Sequence, residues 1–400
     1  MSKRRRAAVL TTGRQDYGIL RSTLLLLRAD PDFELLLFAG GMHLSHRYGL
    51  TIREIEEDGF SCAEEIDWLD GEQEASVAAQ MSLAVLKLTE ALRRWEPEFM
   101  MLVGDRYEVA AAALAATVER IPIVHVHGGE ETEGAFDNQL RHAITKMSHL
   151  HLVSAPRHAT RVIQMGEEPS TVHVVGAPGL DNFSRNDLPS RSELEQILHT
   201  QLTPPVVLVT LHPTTLADSH SGEADAVIGA MRAVDVTYVV TLPNSDPGNL
   251  DIRLLLLALR SSQQDVTHSG RITITEALGS RFYFGLMRVA DALLGNSSSA
   301  IIEAPAFGIP AVNVGDRQKG RTREDNVIDV AGNKEEIANA LRLALSAGFR
   351  EEANESKICC GLGNSGRAIV QILRDWQPPN PPRKSFFALN AQVEWQKVSS

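Results

Sequence analysis

Short apolar runs alternate with longer segments of helical periodicity along most of this chain. Residues 7–11, Phe99–Val103 and 206–211 are such runs, and each is followed by a polar or glycine-containing loop and then by a helical pattern. A parallel strand connection needs a crossover long enough to hold a helix, so this alternation is typical of parallel sheets with helices on both faces. We therefore expect an α/β protein built from doubly wound, Rossmann-like domains.

The 400 residues divide into two halves that both show this alternation. With 43% hydrophobic residues, the chain is long enough for two domains with separate cores. We predict an N-terminal domain over residues 1–178, a C-terminal domain over 179–365, and a helix over 366–376 that returns to the first domain. Residues 377–400 begin proline-rich and show little pattern, so we expect a poorly ordered tail.

Composition excludes several classes of partner. A net charge of -12 argues against nucleic acid, which needs an extended basic surface. No apolar run approaches the ~20 residues that cross a bilayer, and the basic residues 3–6 lead into a short strand, so we expect a cytoplasmic protein with no membrane partner. The three cysteines show no metal-site spacing. We expect no metal, no cofactor and a homo-oligomer, either a dimer or a tetramer.

The most polar segment follows the apolar run at Ile123–Val126. His125 and His127 would lie on the same side of a continuing strand. Glycines and a group of acids come next, including Glu130 and Asp137, and Arg141 lies in the first turns of the following helix. This density of charge at the end of a strand predicts a binding or catalytic site.

Other strand ends carry candidate residues, because ligands of doubly wound sheets collect at the carboxyl ends of strands. Arg14 follows the first strand, where it either contacts a phosphate or pairs with Asp16. His43 follows the second strand. Asp105 follows a later strand, where it either serves the site or caps the next helix. In the second half, His212 and Asn244 occupy similar positions.

A glycine, an asparagine and three serines precede the helix predicted over residues 300–307. Asn296, Ser297 and Ser298 can offer amides and hydroxyls at a helix N-terminus, which favours an anion such as phosphate, although a single serine cap is the simpler alternative. Glu303, about one turn further on, either contacts a sugar hydroxyl or faces solvent. Arg321 belongs to a basic loop that either covers a diphosphate or is solvated.

Several motifs occur together and in order: TTGRQDYGIL, VGDRYE, HVHGGEETEGAFDNQLRHAITKMSHLH, TLHPTT, LPNSDPGN and GNSSSAIIEAPAFGIPAVNVGDRQKGR. Together they resemble the hydrolysing UDP-N-acetylglucosamine 2-epimerases of the sialic-acid pathway and their relatives that act on bacillosamine-type UDP sugars for legionaminic acid. The resemblance runs from about residue 9 to residue 330. It implies the GT-B arrangement, in which two Rossmann-like domains face a cleft.

The resemblance implies a UDP-sugar substrate and an anti elimination of UDP, followed by addition of water that releases the free 2-epimer, such as N-acetylmannosamine. The positions that match the family's catalytic groups are Asp105, Glu130, Asp137 and His212. Those that match or adjoin its substrate-binding groups are Arg14, His43, His127, Asn138, Arg141, Asn244, Asn296, Ser297, Ser298, Glu303 and Arg321.

One departure from the family pattern leaves alternatives open. The family usually has a second acid where this chain has Asn138, and an amide cannot move a proton at neutral pH. Asn138 therefore leaves a catalytically weakened sugar-nucleotide binding protein as one alternative to the epimerase. A GT-B glycosyltransferase, which would need an acceptor groove, is the other.

Overall fold

The computed structural model describes residues 4–69, 76–132, 136–214, 221–243, 248–262, 272–275, 279–321, 323–355 and 363–389. These residues form two parallel β-sheets, one of seven strands and one of six, with helices packed against them. The predicted α/β fold with two Rossmann-like units is confirmed. Within the described ranges, no helix combines the length and apolar character needed to span a bilayer.

The first sheet has the strand order β3-β2-β1-β4-β5-β6-β7. Its strands are β1 Arg5–Thr11, β2 Phe33–Gly40, β3 Glu64–Ile66, β4 Phe99–Val103, β5 Ile123–Val126, β6 Leu150–Val153 and β7 Val172–Val174, and its helices are α1 Arg14–Ala29, α2 Ile52–Glu57, α3 Val77–Trp95, α4 Tyr107–Val118, α5 Asp137–Met147 and α6 Pro156–Gln164. The order reverses between β1 and β4, which are parallel neighbours. Such a switch point opens a crevice at the carboxyl ends of the strands.

The second sheet has the order β10-β9-β8-β11-β12-β13 and a matching switch point between β8 and β11. Its strands are β8 Val206–Thr210, β9 Thr237–Thr241, β10 Ile272–Thr275, β11 Ala292–Gly295, β12 Ala311–Val314 and β13 Val327–Val330. Its helices are α7 Arg191–Leu198, α8 Ser221–Ala233, α9 Asn249–Ser262, α10 Gly279–Val289, α11 Ser299–Ile302, α12 Lys334–Ala344 and α13 Ala347–Asn354, and α14 Ser365–Asp375 follows.

Helix α14 packs against α1 of the first domain. Leu20, Leu24 and Leu27 recur at helical spacing on α1 and share one buried cluster with Ile369 and Leu373 of α14. The start of α14 is held by Asp181, which accepts hydrogen bonds from the amides of residues 365 and 366 at 3.0 and 2.9 Å and from Ser22 Oγ at 2.6 Å. The chain passes between the two domains twice, once near Asp181 and once just before α14, and the residues around Asp181 and α14 both pack against α1.

The helix predicted over residues 300–307 is shorter than expected. The α-helix ends at Ile302, and residues Ala304–Phe307 form a 3-10 turn. Pro305 accounts for the change, because proline has no amide to donate to the preceding turn of an α-helix. Four of the strands and α-helices were absent from the sequence prediction: the strands β3 and β13 and the helices α7 and α13.

The expectation of a poorly ordered tail is wrong for residues 377–389, which we call the C-terminal strap. Phe387 N donates to Gly166 O at 2.9 Å, and Lys384 Nζ lies 2.7 Å from Glu167 Oε2. This segment shows no helical or strand periodicity in the sequence because it is held by individual side chains and backbone groups. It contributes neither a helix face nor a strand of a sheet. Residues 390–400 lie outside the described residues.

Candidate active site

A cleft of about 210 Å³ separates the two sheets at their switch points. Loops after β1, β4 and β5 form one wall, and loops after β8 and β11 together with residues 316–321 contribute to the other. Of the residues predicted for the site, those that line the cleft are Arg14, Asp105, His127, Glu130, Asp137, Arg141, His212, Ser297, Ser298, Glu303 and Arg321. Residues more than 150 positions apart in sequence therefore meet there.

The two histidines after residue 124 have different environments. Strand β5 ends at Val126, and His127 has a left-handed backbone with φ of 64°, so strand alternation does not continue to it. His125 is fully buried, with Nδ1 3.1 Å from Thr145 Oγ1 and Nε2 2.8 Å from Gly104 O. Burial lowers the pKa of His125 to about 3, so this imidazole is neutral and structural.

The turn after His127 needs a glycine. Gly129 has φ of 75°, and a Cβ there would come within 2.4 Å of the carbonyl oxygen of His158. This close approach brings Glu130 back toward His127, whose Nδ1 donates to Glu130 Oε1 at 2.6 Å. Ser154 Oγ donates to the same carboxyl oxygen at 2.7 Å.

Glu130 is a buried, ionised carboxylate. Its second oxygen accepts from Arg321 Nη1 at 2.9 Å, and Arg141 Nη1 lies 3.8 Å away. Burial acts to raise the pKa of Glu130, but the neighbouring His127, Arg321 and Arg141 outweigh it and hold that pKa well below its usual range. A carboxylate in this state stabilises positive charge and does not donate a proton at neutral pH.

Arg141 joins the loops after β4 and β5. It is 2% exposed, donates from Nη1 to His127 O at 2.9 Å, and pairs through Nη2 with Asp105. Asp137 is the first residue of α5 and lines the cleft one helical turn before Arg141. The acids of the first wall are therefore positioned by one buried arginine and one helix.

Arg321 reaches the first domain from the second. Besides its bond to Glu130, its Nη2 lies 3.4 Å from Thr132 Oγ1, and its Nε is buried with no hydrogen-bond partner among the described residues. Burial lowers the pKa of Arg321, although Glu130 opposes this effect. Arg14 reaches from the first domain to the second, where its Nη2 donates to Leu242 O at the longer distance of 3.5 Å.

The wall formed by the second domain begins at the close contact of β8 and β11. Gly295 has φ of 135°, and a Cβ there would come within 2.0 Å of Thr210 O. Asn296 is 1% exposed; its Oδ1 accepts from His212 N at 2.7 Å and its Nδ2 donates to His212 O at 2.8 Å. Asn296 thus fixes the backbone that carries His212, and Ser297 and Ser298 follow it on the cleft wall.

Glu303 lines the cleft with an unusual carboxyl. Its Oε2 is buried without a hydrogen-bond partner among the described residues, and burial raises its pKa to about 6, although nearby His127 and Arg321 oppose this effect. Such an oxygen can bind a ligand hydroxyl. The structure therefore contradicts the alternative in which Glu303 faces solvent.

Two of the predicted substrate-binding residues are engaged elsewhere, and neither lines the cleft. His43 is fully buried, and its ring nitrogens lie 2.8 and 2.9 Å from the hydroxyls of Thr11 and Thr51. Burial lowers the pKa of His43 to about 3. Asn138 accepts from the amide of residue 132 and donates to Glu131 Oε2, both at 2.9 Å.

Asn296 is likewise not among the residues that line the cleft, and its side chain instead holds the backbone of His212. Asn244 lies outside the described residues. Sequence reasoning also missed cleft residues, notably Asp16, which accepts from Thr12 N at 3.0 Å and whose pKa is raised by burial to about 6 despite nearby Arg106. The only sequence signal for Asp16 was its place in the first turn after a buried strand.

The described residues contain no group of three or more histidine, cysteine or acidic side chains arranged to hold a metal ion. The cleft instead offers carboxylates and guanidinium groups together with the hydroxyls of Ser297 and Ser298. This combination can bind an anion and stabilise charge that develops beside it.

A family model described as UDP-N-acetylglucosamine 2-epimerase matches residues 26–374. The chain belongs to this family. It is 36% identical over 372 residues to the UDP-N,N'-diacetylbacillosamine 2-epimerase (hydrolyzing) of Legionella pneumophila, covering 92% of this chain and 96% of that one. It is 32% identical over 383 residues to the polysialic acid biosynthesis protein P7 of Escherichia coli, with 94% and 96% covered.

Solved structures of the family have the same fold. The UDP-GlcNAc 2-epimerase from Neisseria meningitidis, bound to UDP-GlcNAc, matches with a TM-score of 0.77 at 16% identity and covers 92% of this chain and 100% of its own. At that identity the similarity shows the fold alone. Membership of the family makes this chain an enzyme of the UDP-sugar 2-epimerase type and confirms the resemblance seen in its motifs.

Proposed function

We propose that this enzyme is a hydrolysing 2-epimerase that converts a UDP-2-acetamido sugar and water to UDP and the free 2-epimer. The observation that carries the proposal is the pairing of two walls in one cleft: Asp105, Glu130 and Asp137 on the first, and the hydroxyls of Ser297 and Ser298 on the second. The acids suit the sugar carbons that react, and the hydroxyls suit the diphosphate that departs.

The reaction proceeds in two steps. In the elimination, a base removes the proton from C2 while the bond between C1 and the UDP oxygen breaks, giving a 2-acetamidoglucal and UDP. In the second step, water adds its hydroxyl to C1, and a proton returns to C2 on the opposite face. Because the C2 proton is weakly acidic, departure of UDP leads and leaves positive charge at C1.

The charge states of the cleft suit this sequence. Glu130 is ionised and fixed by hydrogen bonds, so it stabilises the positive charge that builds up at the sugar. Asp105 and Asp137 are the candidates for the base at C2, and His212 serves the sugar from the opposite wall.

The diphosphate and the nucleoside would bind on the second wall. Ser297, Ser298 and Arg321 of this wall, with Arg14 from the first wall, would hold the diphosphate, and Oε2 of Glu303 would accept a hydrogen bond from a ribose hydroxyl. Arg321 pairs with Glu130 in this structure, so a phosphate oxygen would bind the same guanidinium either together with Glu130 or in its place.

The substrate would be UDP-N-acetylglucosamine or a UDP-2,4-diacetamido sugar. The first would give N-acetylmannosamine, a precursor of sialic acids, and the second would give the corresponding precursor of legionaminic acid. The 36% identity to a UDP-N,N'-diacetylbacillosamine 2-epimerase supports the second sugar. Parallel assays with both substrates distinguish them by kcat/KM.

Turnover in D2O without an acceptor tests the proposal. NMR should show release of UDP and a free sugar of inverted configuration that carries deuterium at C2. Products that form only after an acceptor is added would indicate a glycosyltransferase. Bound but unchanged substrate, with both sugars, would indicate a sugar-nucleotide binding protein without this activity.

A further inference from the structure

The C-terminal strap contacts the last turn of helix α5. Lys384 Nζ donates to the carbonyl oxygens of Lys146 at 2.8 Å and Thr145 at 3.4 Å, and also to that of Ser148. The last carbonyls of a helix lack intrahelical partners, and a lysine at this end also interacts favourably with the helix dipole. Lys384 therefore caps α5, although it lies 238 positions beyond Lys146 in sequence.

The cap is anchored by a buried acid. Glu167 Oε2 lies 2.7 Å from Lys384 Nζ and 2.9 Å from His151 Nε2, and Glu167 Oε1 lies 2.5 Å from Lys146 Nζ. The side chain of Glu167 is 2% exposed. Burial acts to raise the pKa of Glu167, but the hydrogen bonds from His151, Lys146 and Lys384 lower it to about 2. The carboxylate is therefore charged, and it holds the lysine at the end of the helix.

Two further contacts fix the strap beside this cap. Phe387 N donates to Gly166 O at 2.9 Å, and the amine of Lys146 lies 5.1 Å from the centroid of the Phe386 ring. A Cβ at Gly166 would come within 2.4 Å of that ring, so the strap packs closely against this turn.

Helix α5 connects the cap to the cleft. Asp137 and Arg141 lie in its first two turns and line the cleft, whereas Thr145 lies in its last turn. Thr145 offers its carbonyl to Lys384 and its hydroxyl to His125, whose other nitrogen lies 2.8 Å from Gly104 O. Asp105 follows Gly104 directly, so the strap is linked to Asp105 and Asp137, two of the three acids of this wall.

We propose that Lys384 is a positioning residue for the reaction: by capping α5 it fixes the helix along its axis and so places Asp137 and Arg141 in the cleft. Without the cap, the last turn of α5 loses the contacts that hold it against the strap. One residue of a helix corresponds to ~1.5 Å along its axis. A displacement of ~1 Å at a reacting group, caused from a distance, costs about 100-fold in rate.

Kinetics of the full-length Lys384→Met and Lys384→Arg variants test this role, and these assays rest on the proposed function. Methionine keeps the apolar stem without the charge, and arginine can still donate to the carbonyls. We expect Lys384→Met to lower kcat by about 10- to 100-fold. Its Kd for UDP should stay within about twofold of the wild type, because the serines lie in the other domain. Lys384→Arg should recover most of the kcat.

The neighbouring Arg383→Ala is the matched control, since Arg383 is an exposed cation of the strap whose side chain makes no hydrogen bond or ion pair with the described residues. It should retain the wild-type kcat. An unchanged kcat in Lys384→Met, an equal loss in Arg383→Ala, or a parallel loss of UDP affinity would overturn the positioning role.

Hydrogen exchange gives a readout that does not need turnover. Amides of α5 should exchange faster in Lys384→Met than in the wild type, and those of α12 in the second domain should not change. Unchanged exchange in α5 would overturn the proposal. If the wild type shows no turnover, the proposed function fails, and the exchange experiment alone decides the role of the cap.

Discussion

Glu130 and Glu303 are glutamates of the same cleft whose surroundings shift their pKa values in opposite directions. Arginines and a histidine hold the pKa of Glu130 well below its usual range, whereas burial raises that of Glu303 to about 6. Environments that separate the pKa values of two acids are a common means of giving them separate roles. In the proposed function, these environments suit Glu130 to charge stabilisation and Glu303 to ligand binding.

The raised pKa of Glu303 predicts a pH-dependent loss of stability. The folded value of about 6 lies above the ordinary 4.5, so the unfolded chain releases this proton at lower pH than the folded protein does. The free energy of unfolding therefore falls as pH rises from ~4.5 to ~6.5, by about 2 kcal/mol from this group. Glu303→Gln removes this contribution.

Urea denaturation of the wild type and Glu303→Gln between pH 4.5 and 7 measures this contribution of Glu303 to the free energy of unfolding. The stability of the variant relative to the wild type should rise with pH over this window. The same substitution at the exposed Glu34 is the control. A difference between wild type and Glu303→Gln that stays constant with pH would show that folding does not raise the pKa of Glu303.

Substitutions at Asp105 and His212 should separate chemistry from binding. Asp105→Asn keeps an oxygen that can accept a hydrogen bond from Arg141 but cannot act as a base, and His212→Ala removes the imidazole from the opposite wall. We expect kcat to fall by ~10² to 10⁴-fold in each variant. Calorimetric titration should show UDP affinity close to that of the wild type, and a loss of UDP affinity would contradict the placement of these groups at the sugar.

Sequence reasoning located strand ends better than side-chain directions. His43 does follow β2, but its ring is directed at two threonine hydroxyls, a contact that no local pattern reveals. Asn138 pairs with the loop before α5 and not with the cleft, so its amide has a local structural use. Position along a strand is encoded by hydrophobic periodicity, whereas the partner of a polar side chain depends on tertiary contacts.

At the scale of elements, long periodic segments were predicted and short ones were missed. β3 and β13 are edge strands of three and four residues that include acidic side chains, so they lack a clear apolar run. The helix α7 did carry a signal, because Ser190 and Glu193 have the spacing of a capping box. The structure forms that box, with Ser190 N donating to Glu193 Oε2 at 2.7 Å.

Removal of the capping box should weaken the second domain. Ser190→Ala leaves an amide in the first turn of α7 without its side-chain acceptor, and Leu194 and Leu198 of this helix are buried in the core. We expect the free energy of unfolding to fall by about 1 kcal/mol, measured by urea denaturation. Ser82→Ala, at an exposed position inside α3, is the control and should be neutral or slightly stabilising. Equal effects of the two substitutions would contradict a capping role.

At the scale of the whole molecule, the two sheets supply the two walls of the cleft at equivalent switch points. The strand alternation predicted both sheets, but it gave neither the strand order nor the way in which the domains face each other. The contact between Arg321 and Glu130 spans 191 positions of sequence, and only the relative placement of the domains creates it. The sequence therefore predicted the residues of the two walls separately, and the structure shows which of them meet.

The Arg321–Glu130 ion pair should hold the unliganded cleft closed and contribute to UDP binding. The side chains are 12% and 5% exposed, so water screens this pair weakly. Arg321→Ala removes the cation that reaches the first domain, and we expect UDP affinity to weaken by ~1.5 to 3 kcal/mol, as for the loss of a charge-assisted hydrogen bond. Small-angle scattering of the unliganded variant should show a larger radius of gyration.

Arg323→Ala is the matched control, because Arg323 belongs to the same loop but pairs with Asp329 inside the second domain at 2.8 Å. If both variants scatter and bind UDP alike, the pair between the domains has no special role, and the basic loop acts only through its overall charge.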